Sequence, residues 1–342
     1  MKIGIVYYGV LINDWEAHLI KHVERTVQSG LYEASDVFYI SVVDFSNKMD
    51  RLTLIMQKYP KLTLDYHTEI VPGSSDRSLL NVGEYWGVKM IDTLGKNNDD
   101  MALLYFHSKG VVNKWKNFKT KEFSERRTKC VADWVECMVY FLIDRWEECV
   151  EKLETNDTVG VTNVNRWWWG NFWWTKSSHI KKNTEFPARD RWYSEAWLHE
   201  GRTDGAPAIK FYEWWHWQFD PFFTDHPRFL YDGTYSSADK KIVIHKAEYG
   251  YQSHQRDEGY DYVDECLTDV TDIVRNKLND SGGKLFWDVD ENILGIPEIP
   301  TNGKRAIKGL FITYFFEDRP EILRYSNLAS TVILPIPTPV ST

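Results

Sequence analysis

An apolar run in this chain ends abruptly in side chains that can take part in chemistry. Residues 102–106 predict a buried strand, and His107, Ser108, Lys109 and Gly110 follow at once. Open α/β sheets hold ligands at the carboxyl ends of parallel strands. At such an end the Lys109 ammonium and the His107 imidazole would bind a phosphate or diphosphate group, and Gly110 would let the backbone approach it. The alternative is a strand that runs out into a solvated turn.

A second group of candidates lies in residues 187–201, which read PARDRWYSEAWLHEG and predict a short helix. Glu195 and His199 are four residues apart and would share one face of that helix. A carboxylate flanked by aromatic rings is desolvated, which suits a general base, so we assign this role first to Glu195 and then to Asp190. Arg191 and His199 would bind a substrate. An exposed helix face with salt bridges is the alternative.

Tryptophan is concentrated in one part of the sequence, since ten of the 16 tryptophans lie between residues 167 and 217. There Gly170 and Asn171 precede the pair Trp173 and Trp174. A glycine lets a sugar come close, an amide binds its hydroxyl groups, and aromatic rings pack on its apolar face. We therefore predict substrate binding at these four residues. A heavy hydrophobic core is the alternative.

The order of the predicted elements indicates how these candidates would be positioned. Strands are predicted at residues 2–8, 36–44, 61–71 and 101–110, and helical patterns separate them. This repeated strand–helix–strand order predicts an α/β fold with a doubly wound, mostly parallel sheet flanked by helices.

Later parts of the sequence carry fewer clear signals. Residues 124–155 show the strongest helical stripe of apolar side chains, with a break predicted near residues 143–144. A late strand is predicted to end at His245. The sequence after about residue 259 is less periodic.

Composition excludes several classes of protein. Of the 342 residues, 43% are hydrophobic and 27% are charged, as in soluble globular proteins. The net charge of −9 argues against a general nucleic-acid binder, because phosphate contacts need a basic surface. The four cysteines include no CxxC pair, which favours reduced core thiols over disulfides or a zinc site.

No stretch of the sequence predicts a membrane span, because no run approaches about 18 apolar residues. The N-terminus lacks the apolar core and the cleavage site of a signal peptide. We therefore expect a soluble, cytoplasmic protein.

The segments LYFHSKGV (residues 104–111) and GNFWWTKSSHI (residues 170–180) together resemble motifs of GT-A-type nucleotide-sugar glycosyltransferases. More narrowly, they are similar to a poorly described group of such enzymes from microbes and large viruses, and the similarity spans residues 1–254. The resemblance implies a GT-A-like fold and a hexosyl- or deoxyhexosyltransferase. Such an enzyme moves a sugar from a UDP- or GDP-sugar donor to a hydroxyl group of a glycan or glycoprotein.

The resemblance also implies donor-binding roles by position. Tyr8 and Gly9 end the first strand, where the family holds the nucleotide base. Asp44 ends the second strand and would accept a hydrogen bond from ribose or uracil. Asn81 belongs to the Asn-x-Gly helix start of the family, and His245 matches a late histidine that reaches the diphosphate. Taken alone, His245 fits a structural role as well.

A division of the chain follows from the same resemblance. Residues 1–255 would form the GT-A-like domain, with a nucleotide-binding half at 1–110 and an acceptor half at 111–255. Residues 256–342 would be a less regular C-terminal extension packed on it.

The sequence departs from the wider family at the metal site. Where that family carries an Asp-x-Asp motif, this chain has His107, Ser108 and Lys109. We therefore assign no metal ligands, and a divalent Mn²⁺ or Mg²⁺ ion is kept as an alternative.

Two other functions are compatible with the sequence. One is a non-catalytic carbohydrate-binding protein on a GT-A-like scaffold, in which the tryptophans bind glycan. The other is an NAD- or phosphate-binding α/β enzyme, although GIVYYG is not the glycine-rich G-x-G-x-x-G fingerprint.

Overall fold

The structure of the chain, a computed structural model, divides into two compact units. The residues that it describes are 1–45, 47–68, 83–109, 121–161, 163–164, 167–183, 194, 197–199, 208–210, 224–232, 234–235, 240–252, 266–283, 285–288, 307–327 and 331–334. The first unit comprises Met1–Lys114 and Met138–Glu213, and the second comprises Trp115–Cys137 and Trp214–Thr342. The predicted boundary at residue 255 lies inside the second unit, because strands on both sides of it belong to one sheet.

A mostly parallel sheet forms the centre of the first unit. The described strands of this unit are β1 (Lys2–Val10), β2 (Val37–Val43), β3 (Leu62–His67), β4 (Met101–His107), β5 (Thr158–Gly160), β6 (Asn163–Val164), β7 (Trp167–Trp168), β8 (Trp173–Lys176) and β9 (Ala208–Lys210). Seven of them are ordered β3–β2–β1–β4–β8–β5–β9, and β8 runs against the other six. Strands β6 and β7 form a separate antiparallel ladder. The fold is therefore mixed α/β with a mostly parallel sheet, as predicted.

Helices connect these strands. The described helices up to residue 180 are α1 (Trp15–Gln28), α2 (Leu31–Ala34), α3 (Met49–Lys58), α4 (Tyr85–Asn97), α5 (Lys121–Val139), α6 (Trp146–Thr155) and α7 (Ser177–Ile180). The predicted strand–helix–strand order up to β4 is confirmed, with ends that differ by a few residues. No helix in the described ranges has both the length and the apolar character that a membrane span requires.

Helix α4 packs on one face of the sheet. Side chains alternate along a strand, so Tyr8 of β1 and both Leu103 and Tyr105 of β4 share this face. They form a buried cluster with Val88 and Ile91 of α4. Burying each large apolar side chain contributes about 1.5–3 kcal/mol, so this contact fixes α4 on the sheet.

The predicted break in the long helix is confirmed as a π-helical turn at Tyr140–Asp144, between α5 and α6. A π turn disturbs the regular hydrogen bonding of the helix. Side chains satisfy two carbonyl groups in this turn. The Trp174 Nε1–H donates to the Leu142 carbonyl at 2.8 Å, and the Cys149 thiol donates to the Phe141 carbonyl at 3.3 Å.

The second unit contains an antiparallel sheet. Its described elements are most of α5, a 3₁₀ turn at Arg228–Leu230, β10 (Ile242–Gln252), β11 (Cys266–Asp269), α8 (Thr271–Asp280), β12 (Leu285–Asp288), β13 (Ile307–Phe316), β14 (Arg319–Asn327) and β15 (Thr331–Leu334). The sheet order is β11–β10–β13–β14, and β12 pairs separately with β15. The C-terminal region is therefore more regular than the sequence indicated.

The predicted end of a strand at His245 is wrong, because β10 continues to Gln252. A bulge interrupts the ladder between Ile244 and Lys246, and both His245 and Lys246 are exposed. Alternation resumes with buried Ala247. A bulge adds one residue and shifts the alternation, which makes one strand resemble two in the sequence.

Candidate functional site

The strand order of the first unit reverses between β1 and β4. These strands are parallel, with Tyr8 in register with His107. The Ser108 N–H donates to the Tyr8 carbonyl at 2.9 Å, which extends the pairing beyond β4. Such a reversal opens a crevice at the carboxyl ends of the strands, where ligands bind. We refer to residues 8–10 and 107–109 as the β1–β4 rim, and it is the candidate site.

Helix α4 approaches the sheet closely at Gly87. A Cβ atom at this position would lie 2.6 Å from Tyr8 Cβ and 2.8 Å from Tyr105 Cε2. Only glycine permits this approach without a shift of the helix. It brings the start of α4, and Glu84 directly before it, against β1 and β4. Glu84 is 9% exposed, and its side chain makes no capping hydrogen bond to the helix.

A left-handed backbone turn precedes β8. The φ angles are 69° at Gly170 and 55° at Asn171, a region that suits glycine and is tolerated by asparagine. The turn places the Gly170 carbonyl 2.8 Å from Nε2 of His107 and the Asn171 amide against Glu84. The Phe172 ring then meets the His107 ring edge-on, with 5.1 Å between centroids. The three consecutive residues Gly-Asn-Phe thus contact His107 and Glu84 at the end of β4.

A buried hydrogen-bond network connects these elements. Glu84 Oε2 accepts from the Tyr105 hydroxyl at 2.9 Å and from the Asn171 amide. Asn171 Oδ1 accepts from the Trp173 Nε1–H at 2.7 Å. Glu84 Oε1 lies 3.3 Å from Nε2 of His107. Because buried charges need partners, the network lets the fold keep a carboxylate at the rim.

Two of the predicted sugar-binding rings are part of the hydrophobic core. Trp173 is 1% exposed and Trp174 is 0% exposed, so neither presents a face on which a sugar ring could pack. Both rings therefore fit the alternative reading of the tryptophan cluster as part of the hydrophobic core. Trp173 contributes to the rim indirectly, because it orients the Asn171 amide.

Burial changes the ionisation of two tyrosines next to the rim. Burial, together with the negative charge of Glu84, raises the pKa of Tyr8 above its usual range. Burial also raises the pKa of Tyr7, and a hydrogen bond with Ser108 partly opposes that shift. The Tyr8 hydroxyl donates to the Gly83 carbonyl at 2.9 Å. Both tyrosines are neutral near pH 7 and add no negative charge.

The structure brings four predicted donor-binding residues together on the β1–β4 rim, namely Tyr8, Gly9, His107 and Lys109. His107 is 8% exposed, and Lys109 is partly buried. The Lys109 N–H donates to the His107 carbonyl at 2.7 Å, which makes a tight turn directly after β4.

Asp44 follows β2, the neighbour of β1. Its Oδ2 accepts from the Lys48 N–H at 2.5 Å and from the Tyr66 hydroxyl at 3.0 Å. These bonds tie the end of β2 to the start of α3 and to β3. The contact with ribose or uracil stays a prediction.

Other predicted site residues lie elsewhere or outside the described ranges. His245 belongs to the second unit, and His199 ends a 3₁₀ turn of the first unit at Trp197–His199. The residues outside the described ranges are Asn81, Gly110, Asp190, Arg191 and Glu195. The assignment of a general base therefore stays a prediction.

The side chains around the rim also bear on metal binding. Among the described residues, no three or more His, Cys, Asp or Glu side chains form a group that could hold a metal ion. Nε2 of His107 faces the Gly170 carbonyl, which only accepts, so this nitrogen carries a hydrogen. A nitrogen that donates a hydrogen bond does not ligate a metal. Nε2 of His107 therefore does not fit the ligand set of a divalent cation.

Glu84 was not among the site residues predicted from the sequence. An acidic residue at a helix start ordinarily indicates an interaction with the helix N-terminus. Its partner Asn171 is 87 positions away in the sequence, and Tyr105 is 21 positions away. The nearby Gly87 indicates a close approach of α4 to another element, but not to which one.

Comparisons with protein-family models, with curated proteins and with solved structures give no significant match for this chain. A mostly parallel α/β sheet supports many unrelated activities and does not by itself define one. The function is therefore inferred from the geometry of the rim and from the motifs that form it.

Proposed function

We propose that this chain is a GT-A-type glycosyltransferase that binds the diphosphate of a nucleotide-sugar donor at the β1–β4 rim. One observation carries the proposal: the two motifs that resemble such enzymes meet in space. His107 of the first motif contacts Gly170 and Phe172 of the second, although 63 positions separate His107 from Gly170. They meet at the carboxyl ends of parallel strands where the strand order reverses, which supports a shared ligand site.

Lys109 would stabilise the leaving group in this reaction. Negative charge develops on the diphosphate of a UDP- or GDP-sugar as the bond to the sugar breaks. An ammonium at close range in a water-poor site is worth several kcal/mol to that charge. Lys109 would then do what a divalent cation does in many such enzymes, and use of Mn²⁺ or Mg²⁺ is the alternative.

The acceptor in this proposal is a hydroxyl group of a glycan or glycoprotein, which must lose its proton as it attacks the sugar. Glu195 is the proposed base and Asp190 the second choice, with Arg191 and His199 binding the acceptor. The described neighbours Trp197 and Leu198 are buried in the same core cluster as Tyr105. The Leu198 carbonyl lies 3.1 Å from Nε2 of His179, on the amino-edge side of the sheet, so this packing does not itself bring the segment to the rim.

The test is release of nucleoside diphosphate from a panel of UDP- and GDP-sugars, with Mn²⁺ or with a chelator. We expect turnover of at least one donor by the wild-type chain. Lys109→Ala should lower kcat by about 100-fold or more, because a charge that acts on the transition state is lost. Lys58→Ala removes a lysine that is 62% exposed and serves as the matched control.

Each outcome of this assay decides one part of the proposal. Release from no donor under either condition would overturn the proposed activity and favour a carbohydrate-binding protein. Full turnover by Lys109→Ala would remove Lys109 from the mechanism. Turnover that is lost with the chelator and restored by Mn²⁺ would favour the metal alternative.

A further inference from the structure

The ring of His107 meets two acceptors through one nitrogen. Nε2 lies 2.8 Å from the Gly170 carbonyl oxygen and 3.3 Å from Oε1 of Glu84. Because a carbonyl oxygen only accepts, Nε2 must carry a hydrogen while this contact is made. A proton that His107 gains or loses must therefore be the one on Nδ1.

The hydrogen bonds that Glu84 accepts favour its negatively charged form. Its Oε2 accepts from both the Tyr105 hydroxyl and the Asn171 amide. The orientation of that amide is fixed, since Asn171 Oδ1 accepts from the Trp173 Nε1–H. Hydrogen bonds from several donors stabilise a carboxylate, and a carboxylate beside an imidazole stabilises its charged form.

We propose that Glu84 is a positioning residue that keeps the Nε2 hydrogen of His107 in place and stabilises the positively charged ring. The proposal rests on the proposed function for the identity of the ligand, a nucleoside diphosphate. With the hydrogen on Nε2 retained, the charged and neutral forms of the His107 ring differ by the proton on Nδ1. Together with Lys109, the charged ring would place two positive charges on the rim.

Other titratable groups near His107 are compatible with this charge. These groups are Glu84, Tyr105, Tyr8 and His22, and Lys109 follows in the chain. Burial raises the pKa of Tyr8 and keeps it neutral. Burial lowers the pKa of His22 to about 3, with smaller effects of neighbouring positive groups. His22 is therefore neutral near pH 7 and does not repel a charged His107.

Nitrogen-15 NMR of the histidine rings in the full chain, without nucleotide, tests the proposal. For the wild type we expect hydrogen on Nε2 of His107 throughout the titration and proton exchange at Nδ1. In Glu84→Gln we expect the charged ring to lose its proton at lower pH, because the negative charge beside Nε2 is absent. Glu33→Gln removes an exposed carboxylate of the same unit and should leave this titration unchanged.

A neutral wild-type ring with its hydrogen on Nδ1 would overturn the proposal, as would an unchanged titration in Glu84→Gln. If Glu84→Gln does not fold, the wild-type result decides, together with Tyr105→Phe. That variant keeps the Glu84 carboxylate and should keep the Nε2 hydrogen of His107. If the NMR results are as expected but no nucleotide binds, the proposed function fails and the positioning role of Glu84 stands.

Discussion

Two histidine–carboxylate pairs lie at opposite edges of the sheet in the first unit. At the carboxyl edge, the Gly170 carbonyl and Glu84 both face Nε2 of His107. At the amino edge, Nδ1 of His179 lies 3.2 Å from Asp157 Oδ2, and Nε2 of His179 lies 3.1 Å from a backbone carbonyl, that of residue 198. The same residue types are therefore joined in two different ways.

The two pairs differ in how the named acceptors are divided between the ring nitrogens. Each nitrogen of the fully buried His179 ring faces an oxygen that accepts, Asp157 Oδ2 on one side and a backbone carbonyl on the other. Burial alone would raise the pKa of Asp157, but Lys182 and His179 lower it to about 2. A ring held on both sides can connect chain segments but cannot exchange a proton without losing a contact. In His107 the Gly170 carbonyl and Glu84 both face Nε2, so these two contacts do not require a hydrogen on Nδ1.

Matched substitutions of the two histidines should give the largest difference. His179→Gln should lower the free energy of unfolding by about 3 kcal/mol, because it removes a fully buried ring together with its contacts to Asp157 and to a backbone carbonyl. His107→Gln should lower it by only about 1 kcal/mol, but should reduce nucleoside diphosphate release by about 100-fold. Chemical denaturation and the donor assay measure these effects.

His18, a partly buried histidine of α1, provides the control for both substitutions. His18→Gln should change neither the free energy of unfolding nor the release of nucleoside diphosphate appreciably. Equal losses in the free energy of unfolding for the His107 and His179 variants would contradict the comparison. Full turnover by His107→Gln would also contradict it.

The close approach of α4 offers a second test of the rim. Gly87→Ala places a Cβ within 2.6 Å of Tyr8 Cβ and 2.8 Å of Tyr105 Cε2, so α4 must shift. We expect a loss of about 2 kcal/mol in the free energy of unfolding, as in other overpacked cores. Nucleotide binding should also weaken, because Glu84 moves with the helix. Thr93→Ala, at an exposed position of α4, should change neither the free energy of unfolding nor nucleotide binding. Equal losses in Gly87→Ala and Thr93→Ala would contradict this account.

A third histidine provides a neutral reference for the comparison. Burial lowers the pKa of His22 from 6.5 to about 3, so the unfolded chain binds this proton at higher pH than the folded chain. Stability should therefore fall as the pH drops from about 6.5 towards 3. His22→Leu removes this contribution and should make unfolding less sensitive to pH, by about 2–3 kcal/mol between pH 7 and about pH 4.5. An unchanged pH dependence in urea unfolding would show that His22 is charged in the folded state.

Local periodicity was sufficient to predict part of the fold. The strands and helices up to β4 and the break at Tyr140–Asp144 follow from apolar spacing within single segments. The antiparallel insertion of β8 between β4 and β5 was not predicted, because strand pairing depends on segments distant in sequence. The bulge at His245 concealed the length of β10, because it shifted the alternation.

Residue types were sufficient to select part of the candidate site. His107 and Lys109 stood out because polar side chains followed a buried strand, and Asn171 because it lay beside glycine and tryptophan. Glu84 was missed, since its role depends on a helix that approaches the sheet at Gly87. That approach depends on tertiary packing, which the local sequence pattern does not contain.

The most direct test of the central claim is an NMR titration of the chain with UDP and GDP, with and without Mn²⁺. If the β1–β4 rim binds the diphosphate, the resonances of His107 and Lys109 should shift with nucleotide concentration, while those of His179 should not. Shifts confined to residues of the second unit, or no shift at any nucleotide concentration, would contradict the account.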